Sequence, residues 1–285
     1  MFRDWTIELL YVFDWLVTST LTIVNNMLTT PLDSFAPGAF ALSEAIATSL
    51  TGFGLAILTL LWMVDFAGST FSFRIKNLEE IVKLFIMLIL GAVIVRASFW
   101  IVIYVFNGLQ FVLNIVNQVA GTTLNNSTSL NFSYFVQDTQ EFVRSLGSRQ
   151  LGESMILFLF IAMFLLGAFG AMLSIILVPI TIMIELYIYS AFAPIPLATL
   201  TTSQRQIGIQ FLKTYAGVCI RGALVIFGLF LSQAFLSSNI LNISNITLEG
   251  ILVVFVPILQ LFLNIMILQK CIKSAEQFSK VLVGG

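Results

Sequence analysis

Long apolar runs, each closed off by a short polar stretch, dominate this chain, and they do not alternate polar with apolar as barrel strands do. A helix of about 20 residues crosses a hydrocarbon core of about 30 Å. Five runs meet that requirement, at 43–66, 84–106, 155–178, 214–236 and 250–269. Two of them overshoot it. From 84 no helix breaker occurs until about 118, a helix of roughly 50 Å at 1.5 Å per residue. Its later half places Asn107, Gln110, Asn114 and Asn117 along one polar stripe. The run from 155 likewise continues to about 190.

Residues 1–30 read in two ways. Asp4, Glu8, Tyr11, Thr18, Thr22, Asn25 and Thr29 recur at helical spacing, with Phe2, Leu9, Phe13, Leu16, Val24 and Met27 mostly opposite them. That pattern predicts an amphipathic interfacial helix ended by Pro31. The alternative is a sixth crossing near 9–28 that buries Asp14, a costly place for a carboxylate. Expected, then, is an all-α polytopic membrane protein. It has an N-terminal segment at 1–30, which supplies a sixth crossing in the alternative reading, and a transmembrane domain of five helices over 31–285.

Composition supports this reading. Hydrophobic residues make up 59% and charged residues 9%, against roughly a quarter charged in soluble domains. The chain has no histidine, and Cys219 and Cys271 form no CxxC pair. Histidine triads, HExxH zinc sites and a P-loop are therefore absent from the sequence, so no enzyme activity, metal or cofactor is expected. The start MFRDWTIELL lacks the basic and small-residue features of a cleaved signal peptide, and retention is expected.

Basic residues cluster in alternate connections. Arg74, Lys76, Lys83, Arg205, Lys213, Lys270, Lys273 and Lys280 fall on one side, and Arg144 and Arg149 on the other, joined by Arg3 if the N-terminus is outside. The positive-inside rule then places the C-terminus in the cytoplasm and the N-terminus outside, in a cell membrane. N-x-[ST] acceptors at Asn125, Asn126, Asn131, Asn242 and Asn245 all fall in connections assigned outside.

Charge within the spans is sparse. Arg96 lies about 18 Å along its helix from position 84, and Arg221 about 10 Å from 214. Asp65 and Glu185 are the acids placed to pair with Arg221; Arg96 has none at its depth. An intramembrane arginine must be paired, hydrated or snorkelled. It either bonds locally or faces a subunit interface or aqueous path. Gln260 and Asn264, after Pro257, mark the last span as inward-facing. Gly167, Gly170, Ala171 and Ser174 make a small-residue face suited to helix packing.

The stretch "YSAFAPIPLATLTTSQRQ" interrupts the third run. Pro194 and Pro196 disfavour helix at the residues before them, so Ala193 and Ile195 should be extended and the helix should end near Ser190. A helix begun at Met155 would by then have passed the cytoplasmic face, and apolar helix outside lipid needs a protein partner.

Residues 185–232, an apolar helix, an A-P-x-P-x-A break, a polar turn and another apolar helix, resemble the VirB6/TrbL family. These are polytopic inner-membrane subunits of type IV secretion and conjugation machines. The acceptor-rich outer connections make the crenarchaeal DNA-import version at least as close a resemblance as a bacterial conjugation subunit. The resemblance implies a homo-oligomeric channel or scaffold subunit in the bilayer. It would work with other subunits, including a separate ATPase, and with DNA as the translocated substrate. The other class of function the residues allow is a small-solute permease subunit lined by Gln260, Asn264 and Arg96.

Overall fold

A computed structural model describes residues 2–71, 78–123, 151–237 and 255–283, and every element among them is helical. The helices are α1 (Phe2–Thr29), α2 (Leu32–Phe35), α3 (Pro37–Phe71), α4 (Leu78–Thr123), α5 (Leu151–Phe192), α6 (Pro194–Leu197), α7 (Arg205–Ser237) and α8 (Phe255–Val283). Five stretches of the described residues are long and apolar enough to cross a membrane: Asp4–Thr29, Pro37–Thr70, Glu79–Val119, Phe158–Phe192 and Arg205–Ser232. The chain is a multi-pass helical membrane protein. Length and composition thus qualify α1 for a crossing as well, while the run at 250–269 overlaps α8. The five N-x-[ST] asparagines lie outside the described residues.

The overlong runs are indeed single helices. Glu79 and Glu80 sit in the first turn of α4, where the helix dipole favours acids. Inside α5, Pro179 removes one backbone donor, an interruption not anticipated from the pattern of apolar runs.

The chain folds as two compact units. The first comprises 1–29, 113–180 and 222–278. Here α1 buries Leu10, Phe13, Val17, Leu21, Val24 and Leu28, spaced three or four apart. Phe13 packs on Phe164 at 5.6 Å between ring centres, and Trp5 on Phe158 at 6.0 Å. Gly228 lets α7 approach α8, since a Cβ there would lie 3.2 Å from the Cys271 carbonyl oxygen.

The second unit comprises 30–112, 181–221 and 279–285. It is built on an antiparallel α3/α4 pair. Trp62 Nε1 donates to the Leu84 carbonyl at 2.9 Å, and Leu58 and Val95 meet in its core beside Leu88 and Ala92. At the far end, Gln110 Nε2 donates to the Thr30 carbonyl at 2.9 Å. The sequence stripe therefore divides: Gln110 is buried, while Asn107 and Asn114 are exposed. A second antiparallel pair, the end of α5 and the start of α7, places Tyr189 edge-on to Phe211 and Tyr215.

Candidate functional site

The break between α5 and α7 belongs to the second unit, and its backbone departs from the sequence expectation. Ala193 has φ −52° and ψ −36°, helical rather than extended, and α5 continues to Phe192 rather than ending near Ser190. Pro194 starts a one-turn helix, and Pro196 and Ile195 lie within it. Proline is well suited to a first helical turn, where its missing N–H has no partner to lose. Alanine before it has the smallest side chain to clash with the ring. The helix still breaks, because Pro194 cannot donate and the chain then turns through 198–204.

Position is the larger correction. The break does not lie beyond the membrane-crossing length of the chain. A Cβ on Gly54, the middle residue of α3, would sit 2.7 Å from the Pro194 carbonyl oxygen. From there the segment follows α3 to Asp65, whose Oδ2 accepts from Ser203 N–H at 2.8 Å. Eleven helical residues separate those two positions on α3, about 16 Å. The protein surface that covers this apolar segment is the chain's own. Ala193, Leu197 and Ala198 are fully buried, with Ala198 packed against Leu58 and Val95. Glycine at 54 and at 91, where a Cβ would collide with Leu58 and Thr201, makes room for it.

Irregular backbone at membrane depth persists only where protein or a wet cavity satisfies it. Here satisfaction is local. Leu197 N–H donates to the Ala193 carbonyl, Thr199 N–H to Pro196 and Thr202 N–H to Thr199, at 3.1–3.2 Å. Thr199 Oγ1 donates to the Pro196 carbonyl at 2.8 Å and accepts from Gly208 N–H at 2.9 Å. Below the break, Arg221 Nη1 donates to both Glu185 oxygens, at 3.1 and 3.2 Å, in a partly buried pair. Of the two acids the sequence offered to Arg221, Glu185 takes it and Asp65 serves the break.

Arg96 behaves differently. It is exposed on α4, with no hydrogen bond or ion pair to any described residue. Ile89, Val93, Trp100, Tyr104 and Asn107 are exposed along the same line, spaced three or four apart. Trp100 is braced by Phe99 at 5.6 Å and Tyr104 at 6.4 Å between ring centres, and Phe99 packs on Phe40.

The remaining candidates are dispersed. Gly167, Gly170 and Ser174 are exposed on α5 and Ala171 is half-buried. A Cβ on either glycine would meet no atom within 4 Å, so among the described residues no helix packs on this face. Gln260 and Asn264 belong to α8, but their side chains lie outside the described residues. No group of three or more metal-ligating side chains occurs among the described residues. Sequence reasoning missed Gly54, Gly91, Gly208 and the Asp65 cap; a glycine inside an apolar helix was the available signal for the first two. Compared with family models, with curated proteins and with solved structures, the chain matches none.

Proposed function

We propose that this chain is a non-enzymatic subunit of an oligomeric membrane assembly, a channel or scaffold component of a type IV-secretion-like machine that transfers DNA. The observation that carries the assembly reading is Arg96, exposed and unpaired among the described residues, deep within a candidate span. An arginine at the centre of a helix in lipid costs about 3 kcal/mol or more. Protein or an aqueous path beside that face removes the cost. The DNA-transfer reading adds the resemblance of residues 185–232 and the suitability of a cationic group for a polyanion. In this reading a separate ATPase subunit supplies energy, and residues 203–213 and the C-terminus face the cytoplasm.

Two experiments test it. Extraction in mild detergent is expected to yield a particle of several copies or subunits; a stable monomer overturns the assembly reading. In cells that depend on this chain, Arg96→Gln is expected to lower DNA transfer per assembled complex. Unchanged transfer per complex, or a selective defect in small-solute uptake, overturns the DNA-path reading. A cysteine at 205 should label from the cytoplasmic side alone, and labelling from outside reverses the orientation.

A further inference from the structure

The surface of α3 is the counterpart of the surface of α4. Along one exposed line of α3 lie Ala41, Ala45, Thr48, Gly52 and Ala56, spaced three or four apart. A Cβ on Gly52 would meet nothing within 4 Å, so the line is an open furrow. Leu42, Phe53 and Leu60, all more than half exposed, stand along one side of it as a wall. The exposed line of α4 is its opposite in bulk, with Val93, Arg96, Trp100 and Tyr104, the last 68% exposed.

The two lines also match in depth. A Cβ on Gly54 would touch Val95, and one on Gly91 would touch Leu58, which fixes the antiparallel register of the pair. Within about one residue of rise, Gly52 then stands level with Arg96, Thr48 with Trp100 and Ala45 with Tyr104. Copies inserted the same way in one bilayer share those levels. The bulky residues of one copy therefore meet the small residues of the next without any shift along the membrane normal.

Hydrogen bonding fits as well. Thr48 and Ser49 spend their hydroxyl hydrogens on the Glu44 and Ala45 carbonyls, at 2.8 and 2.9 Å. Their remaining lone pairs are acceptors at the level of Trp100, whose indole N–H is a donor and has no acceptor of its own among the described residues. Small residues that admit a close neighbour, with hydroxyls to bond it, are what helix association in lipid requires.

We infer that α4 of one copy seats Arg96, Trp100 and Tyr104 in the Ala45–Thr48–Gly52 furrow on α3 of a second copy. The contact is head-to-tail, because each copy presents a ridge on one helix and a furrow on another, and such contacts propagate into rings when the rotation closes. The inference rests on the assembly reading above and gives it a partner and two faces.

The test is disulfide trapping in native membranes, with Cys219 and Cys271 replaced by alanine. Ala45→Cys carrying one tag is co-expressed with Tyr104→Cys carrying another, and each is also expressed alone. A cross-linked dimer bearing both tags is expected from the mixture and is lost when either variant is alone. A cross-link from one variant alone means that like faces meet, and overturns the inference. A multimer by size with no mixed cross-link overturns it too, while leaving the subunit reading intact. A monomer by size overturns both. Gly52→Leu gives a second readout: it fills a furrow that no described residue occupies, so it should insert normally and lose the multimer. A Gly52→Leu multimer of undiminished size also overturns the inference.

Discussion

The break at 193–204 and the outer line of α4 both place polar chemistry within membrane-spanning length, and they treat it in opposite ways. At the break, the backbone amides of Leu197, Thr199 and Thr202 are bonded within a few residues, and Asp65 reaches across to cap Ser203. Glu185 holds Arg221 nearby. Along α4, Arg96 is left open, with Trp100 and Tyr104 held beside it by ring contacts. A chain that bonds most of the break within itself, the buried Thr201 hydroxyl excepted, leaves the other line open for a group outside itself. That contrast, more than any count of charges, is the argument for a partner.

The sharpest way to break the comparison is to damage the satisfied side. Gly54→Leu drives a side chain into the Pro194 carbonyl and should cost about 3 kcal/mol, read as a lost folded fraction in thermal denaturation. Gly52→Leu, two residues away on the open face, should leave the melting curve of the dissociated chain unmoved, since nothing lies within 4 Å of its Cβ. Equal destabilisation by both would erase the distinction between the two faces.

A smaller effect is expected at the ion pair. Glu185→Gln removes the carboxylate that Arg221 bonds in a partly buried place and should cost about 2 kcal/mol, below the figure for a fully buried pair because Glu185 is one-third exposed. Joining it to Arg221→Met should recover part of that loss. A double variant less stable than either single one would show that the pair is not coupled as its geometry implies.

Smaller again is the effect of the prolines. Pro194→Ala with Pro196→Ala restores two N–H donors, yet Ala193, Leu197 and Ala198 stay buried against α3 and α4. The break should persist, with a change in stability of about 1 kcal/mol. A continuous helix through 198, seen as new amide protection there, would mean that proline alone makes the break.

Much of this fold was legible in the sequence. Apolar runs gave α3, α4, α5 and α7, because a helix in lipid must satisfy its backbone internally and so writes itself as a long run, which in α5 continues through Pro179. The prolines gave the place of the break. Its burial was not legible: Gly54 and Gly91 read locally as tolerated helix glycines, and only the approach of a segment over a hundred residues later gives them a purpose. The Asp65 cap has the same cause, since its partner Ser203 is 138 residues away. Arg96 was singled out as lacking an acid at its depth, but local sequence does not show which way an arginine faces on a helix apolar all round. The small face at Gly167 and Gly170 read as packing, and the fold leaves it exposed.

The central claim is that the α4 line faces protein and not lipid, and Trp100 reports on it directly. In a variant that keeps Trp100 and carries Trp5→Phe, Trp15→Phe and Trp62→Phe, the protein is reconstituted into bilayers with brominated acyl chains. Indole fluorescence is then compared with that in ordinary lipid. With Trp100 in the furrow of a second copy, the emission should be nearly unchanged by bromine, and Gly52→Leu in the same background should make it sensitive. Strong quenching of Trp100 in the assembled protein would put that face in lipid and contradict the account.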